Sequence, residues 1–152
     1  MERYPGDEWV DVVGLDWFGD DSAAKRAQLL RLAAEAVRFA EAHGKVAGLT
    51  EVGYDDGKSG RGLAHCTDLH WLRTGLTGPL LEHPVARRLA FLCFWRNESY
   101  RPAIYNLPPP GTAHAPCLAG LAEEPGLVFG ERTGGIYQRD LQVEAEATGC
   151  AT

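Results

Sequence analysis

The sequence predicts an α/β protein built on a parallel sheet. Three short apolar runs read as strands, and stretches with apolar residues at helical spacing separate them. Each run also ends in acidic, aromatic or basic residues of the kind that collect at the carboxyl ends of parallel strands. Strand–helix–strand alternation of this sort argues for right-handed βαβ units.

The first strand is Trp9-Val10-Asp11-Val12-Val13-Gly14-Leu15, a valine-containing run apolar enough for burial on both faces. Gly19-Asp20-Asp21-Ser22 follows with turn and N-cap chemistry. From there to His43 the pattern is a long amphipathic helix, with Leu29, Leu32, Ala33, Ala36, Val37 and Ala40 on one face. Gly44 stands where a left-handed C-terminal glycine belongs. Asp20 and Asp21 at one end and His43 at the other suit the helix dipole.

Val46-Ala47-Gly48-Leu49-Thr50 is the second strand, and it ends at Glu51. A Gly/Asp-rich loop covers residues 53–62. Thr67 or Asp68 caps a second helix with Leu69, Leu72 and Leu76 on one face, and Gly78-Pro79 ends or breaks it. The third strand is Leu89-Ala90-Phe91-Leu92-Cys93-Phe94-Trp95, apolar throughout. Pro108-Pro109-Pro110-Gly111 makes a rigid loop, a short helix is expected from about Ala115 to Glu123, and Pro125-Gly126 stops it. From Gly130 the chain is polar, so residues 1–130 read as one folded domain and residues 131–152 as a polar tail.

Composition narrows the function. The chain has 152 residues, enough for one domain and short of the about 250 of a complete (β/α)₈ barrel. A net charge of −6 without a Lys/Arg stripe argues against nucleic acid as a partner. No apolar run is long enough to span a membrane, and Met1-Glu2-Arg3-Tyr4-Pro5-Gly6 lacks the apolar core of a signal peptide. The cysteines Cys66, Cys93, Cys117 and Cys150 form no C-x-x-C, so no disulfide framework and no metal are expected, and Cys93 in its apolar run reads as a buried thiol. The five histidines have no ligand spacing and read as helix-terminal or surface residues.

Chemistry is to be sought at the three strand ends: Leu15-Asp16-Trp17-Phe18, Thr50-Glu51-Val52-Gly53 and Phe94-Trp95-Arg96-Asn97-Glu98. Carboxylates beside aromatic faces suit a sugar site. Glu51, expected at a strand tip, is either a reactive carboxylate or the partner of an arginine such as Arg96. Trp95 is either core or a platform for a pyranose ring, and Asp16 and Trp17 pose the same choice. Arg96 and Asn97 cannot continue a buried run and must face a polar space, whereas Trp71, in a helical pattern, reads as core. Gly53-Tyr54-Asp55-Asp56-Gly57-Lys58-Ser59 comes after a strand as a phosphate loop does. It is one residue too short for that motif, and its aspartates would repel phosphate.

Taken together, three segments resemble glycoside hydrolase family 26, the β-mannanase family. Arg3 to Asp16 is similar to the segment leading into the family's strand six, Leu49-Thr50-Glu51-Val52-Gly53 to its strand-seven nucleophile motif, and Phe94-Trp95-Arg96-Asn97 to the end of its strand eight. The resemblance implies the C-terminal half of a (β/α)₈ TIM barrel: three parallel strands with alternating helices, incomplete. It implies a retaining endo-β-1,4-mannanase chemistry, with β-mannan or a related polysaccharide as substrate and no cofactor. Glu51 would be the nucleophile, Trp95 the platform beneath the sugar, Arg96 a contact to the neighbouring sugar, and Asp16 a polar residue lining the site. Phe18 stands where the family usually has a tyrosine that bonds the nucleophile. The family's acid/base is a glutamate following a histidine, and here the histidines precede Gly44, Cys66, Trp71, Pro84 and Ala115. A nucleophile without its acid/base partner leaves two expectations: activity with a complementary N-terminal half, or a non-catalytic half-barrel that binds carbohydrate or self-associates. Following the family, the location would be secreted or at the cell surface.

Overall fold

The computed structural model describes residues 4–58, 61–97 and 105–128. In chain order they form β1 (Val12–Gly19), α1 (Ala23–Ala42), β2 (Val46–Tyr54), α2 (Gly78–Glu82), β3 (Phe91–Phe94) and α3 (Ala115–Leu121). β2 is central, with β1 and β3 paired to it in parallel, as the strand–helix alternation requires. The chain divides after Leu118 into two compact units. The second is described over residues 119–128, where turns run from Ala119 to Ala122 and from Leu121 to Glu124. The expected boundary at residue 130 and the tail at 131–152 lie outside the described residues, as does Cys150.

The strand bounds differ from the apolar runs: β1 starts and stops later, β2 runs on past its apolar run, and β3 is shorter at both ends. Trp9 is 74% exposed and closes a turn on Gly6, whose φ of 116° only glycine adopts readily. β1 therefore begins at Val12 and runs on through Asp16-Trp17-Phe18 to Gly19. β2 continues with it to Tyr54, so Glu51 lies within the strand and not at its tip. Ladder pairing overrides the polarity of individual residues here.

α1 starts as expected: the Ser22 hydroxyl accepts the Lys25 amide at 3.2 Å, and Asp20 accepts the Ser22 amide at 2.9 Å. Gly44 follows the helix with a φ of 66°. The buried face holds Leu29, Ala33, Ala34, Ala36, Val37 and Ala40, with Leu32 turned partly outward. Small alanines let this helix lie close against the sheet, where Ala47 and Val13 meet Ala36, Val37 and Ala40.

The second helix departs from expectation. Asp68 caps it, accepting the His70 amide at 2.8 Å and the Thr74 hydroxyl at 2.5 Å. Leu72–Thr77 then widens into a π-turn, and α2 continues across Gly78-Pro79. The wide turn sends the Gly78 amide to the Arg73 carbonyl, and Pro79, at the start of α2, has no amide to satisfy. Leu69 is exposed, while Trp71, Leu72 and Leu76 are fully buried. Trp71 stacks on Trp17 at 6.2 Å and stands edge-on to Tyr54 at 5.4 Å, so Trp71 is core, as its pattern implies.

Among the described residues, one face of the sheet is covered by this helical layer and the other is open. Val13, Leu15 and Trp17 point to the helices. Val12, Gly14 and Asp16 alternate with them and are exposed, as are Val46, Phe91 and Cys93 on the neighbouring strands. Cys93 is thus an exposed thiol and not a buried one, because among the described residues no layer covers its side of the sheet. His114 is helix-terminal, directly before α3, but not at the surface: it is buried, with its Nδ1 3.3 Å from the Tyr105 hydroxyl.

Candidate functional site

The register of the sheet builds the site. β1 and β2 pair residue for residue from Val12↔Val46 to Leu15↔Leu49, and then Asp16 pairs with Glu51. Thr50 is left without a partner. On the other side, Leu92 pairs with Leu49 and Phe94 with Val52, so residues 50 and 51 together oppose Cys93 alone. This is a β-bulge, which kinks the strand and re-aims the side chains beyond it.

The bulge decides where the Glu51 carboxylate goes. Leu49 and Val52 are both fully buried on the helical side. Strict alternation from Leu49 would turn Glu51 into that same layer, where an unpaired carboxylate costs several kcal/mol. The extra residue instead turns Glu51 to the open face, opposite Asp16, and restores Val52 to the core. Among the described residues the Glu51 carboxylate makes no hydrogen bond or ion pair. The arginine alternative is not realised there, since the Arg96 guanidinium lies 5.5 Å over the Trp95 ring.

β3 supplies the next wall. The Trp95 amide donates to the Val52 carbonyl at 2.9 Å, so Trp95 sits directly past β3, two residues beyond Cys93, which opposes Glu51. By alternation from Phe91 and Cys93 it belongs to the open face. Arg96 and Asn97 are exposed, as their polarity predicts. Phe18 pairs with Gly53 and is half-buried, with the Arg61 guanidinium 5.5 Å above its ring. Arg61 also pairs with Asp55 at 3.1 Å. Trp17 is core, so of the two residues posing that choice only Asp16 reaches the open face.

Three contributors were not singled out by sequence reasoning. Thr50 donates its hydroxyl to Asp16 Oδ1 at 2.7 Å. Asn106, fully buried, accepts the Tyr54 amide at 3.3 Å, taking over the ladder where β3 stops. Gly53 admits it: a Cβ there would come within 2.4 Å of Asn106 Oδ1. Asn97 in turn fixes this loop, accepting the amides of Asn106 and Leu107 at 3.0 and 3.1 Å and donating to the Leu107 carbonyl at 2.7 Å. The signal for the asparagine clamp is faint, two isolated Asn residues on either side of residues that are not described. The phosphate-loop alternative gains nothing, because Gly53 and Tyr54 are strand residues and Asp55 and Asp56 accept the amides of Gly57 and Lys58. Among the described residues no cluster of three or more metal-binding side chains occurs, and no helix is long and apolar enough to cross a membrane.

The arrangement joins a solvent-reachable carboxylate, a second carboxylate opposite it, an indole and a guanidinium. Such a set can hold a ring by stacking and attack or polarise it from one face.

Comparison with known proteins points the same way. The profile of glycosyl hydrolase family 26 matches residues 1–53. A modular endo-β-1,4-mannanase from Cellulomonas fimi is 30% identical, with 87% of this chain and 28% of that one covered at a TM-score of 0.72. A double mutant of the Cellulomonas fimi endo-β-1,4-mannanase is 31% identical, covering 87% and 28% at a TM-score of 0.73. A family 26 β-mannanase from Bacteroides ovatus is 28% identical, covering 84% and 33% at a TM-score of 0.68. The chain therefore spans only 28–33% of the length of these relatives.

Proposed function

This chain belongs to glycosyl hydrolase family 26 and forms part of a (β/α)₈ barrel, and from that premise we propose that it is the C-terminal, nucleophile-bearing portion of a retaining endo-β-1,4-mannanase. The observation that carries the reading is the bulge-presented Glu51 carboxylate on the open face, with Asp16 across from it and Trp95 at the end of the adjacent strand.

In this reading a β-mannoside rests on Trp95, Arg96 contacts the adjoining sugar, and Asp16 and Phe18 line the pocket. A Glu51 carboxylate oxygen attacks the anomeric carbon as the bond to the leaving oxygen breaks. A glycosyl ester forms, and water later cleaves it with retention. Protonation of the leaving oxygen falls to a group outside this chain, since no histidine here precedes a glutamate. General acid catalysis is worth about 10²–10⁴-fold. Natural mannan should therefore be cut efficiently only when a complementary polypeptide supplies that acid.

The test is reducing-end release from mannan by the chain alone and with an upstream family 26 half. Release that requires both halves and disappears in Glu51→Ala supports the reading, and release that survives Glu51→Ala defeats it.

One observation favours a second reading, a non-catalytic half-barrel that assembles with another chain. Val12 and Val46 are each 45% exposed and Phe91 37% on the open face, and β1 and β3 are the sheet's edges. Apolar faces and strand edges recruit partners. Sedimentation of the purified chain distinguishes this reading: assembly without mannan hydrolysis in any combination favours it.

A further inference from the structure

Thr50 is the one residue of β2 without a partner in β1, yet its side chain is held from two directions. Its hydroxyl donates to Asp16 Oδ1 at 2.7 Å. Its methyl and hydroxyl lie flat over Gly14, where a Cβ would come within 2.8 Å of Cγ2 and 2.9 Å of Oγ1. Gly14 and Asp16 are alternate residues of β1, both on the open face. The bulged residue is thus clamped between a bare backbone and the carboxylate of Asp16, the register partner of Glu51.

We propose that Thr50 is a positioning residue that sets the aim of Glu51. This rests on Glu51 being the attacking carboxylate and goes beyond it by naming what fixes that carboxylate's direction. A bulge has no ladder partner of its own, so its backbone is held by side-chain contacts. The peptide joining residues 50 and 51 carries the orientation of Thr50 into the Cα–Cβ bond of Glu51. The same hydroxyl holds one oxygen of Asp16, the neighbouring negative group. Loss of the clamp therefore frees both the backbone that presents Glu51 and the carboxylate it faces.

Thr50→Val keeps the branched shape and removes the donor, Thr50→Ser keeps the donor, and Gly14→Ala crowds the side chain without removing either. Each is tested with 2,4-dinitrophenyl 2-deoxy-2-fluoro-β-mannoside. Its leaving group departs as the phenolate without an acid, and its fluorine slows hydrolysis so that the glycosyl ester accumulates. The expected result is a saturating labelling rate about 10- to 100-fold lower in Thr50→Val and Gly14→Ala, the range for a small misplacement of a reacting group. The half-saturating concentration should be unchanged, and Thr50→Ser should stay close to wild type. Wild-type rates in Thr50→Val, or equal losses in Val and Ser, overturn the proposal.

Crystal structures of the wild type and Thr50→Val decide it independently of reactivity. A rotated Glu51 side chain supports the proposal, and an unmoved one overturns it. Failure of the Glu51 reading has a different signature: wild-type protein that takes no label, or a label on another residue.

Discussion

The Asn106 side chain accepts the backbone amide of Tyr54 at 3.3 Å, closing the β2 ladder at the point where β3 has ended. A carbonyl from a distant loop thereby stands in for a further strand residue. Asn106→Ala leaves a buried amide without that acceptor, a loss of about 1–3 kcal/mol. Gly53→Ala, which would push against Asn106 Oδ1, should cost a similar amount. Urea unfolding of both variants checks this, and unchanged midpoints would show that the clamp adds nothing to stability.

Trp71 is the largest fully buried side chain, packed on Trp17 and Tyr54. Trp71→Ala should destabilise by about 3–5 kcal/mol, the usual range for deleting a buried aromatic ring. Equilibrium denaturation measures it. A change below about 1 kcal/mol, the scale of an average substitution, would remove this cluster from the core.

His114 is 2% exposed, and burial holds its pKa below the usual histidine value. The folded state therefore binds its proton less readily than the unfolded chain. Its contribution to stability is complete above about pH 6.5, the unperturbed histidine pKa, and is lost as pH falls through and below that value. Urea midpoints measured between about pH 8 and 5 should decline, with a shallower slope in His114→Phe. Equal slopes would contradict the burial.

Thiol reactivity reports on the open face. In a Cys150→Ser background, Cys93 should react rapidly with a disulfide reagent. Cys66 and Cys117 should lag, since both are buried and burial pushes the Cys66 thiol up to about 11. Mapping the modified peptides tests this, and a complementary half that covers the inner face should protect Cys93. Fast reaction at Cys66 would contradict the packing.

The features legible in the sequence were local. The order of strands and helices, the Ser22 cap and the core role of Trp71 come from periodicity and capping chemistry within short windows. The bulge was not legible, because Thr50 becomes the extra residue only when β1 and β3 are both in register with β2. Glu51 was recognised as a candidate, but the physics that turns it outward was not. Asn106 lies 52 residues from the amide it satisfies, beyond any local pattern. The exposure of Cys93 was not legible because an apolar residue in an apolar strand normally has a layer on each side, and among the described residues this sheet has one.

The proposed function turns on one bond, between a Glu51 carboxylate oxygen and an anomeric carbon. Treating the protein with the fluorinated dinitrophenyl β-mannoside and sequencing the labelled peptide by mass spectrometry tests it most directly. The account predicts one added fluoromannosyl group, located on Glu51 and absent in Glu51→Gln. A label on another residue, or an equal label in Glu51→Gln, would contradict it.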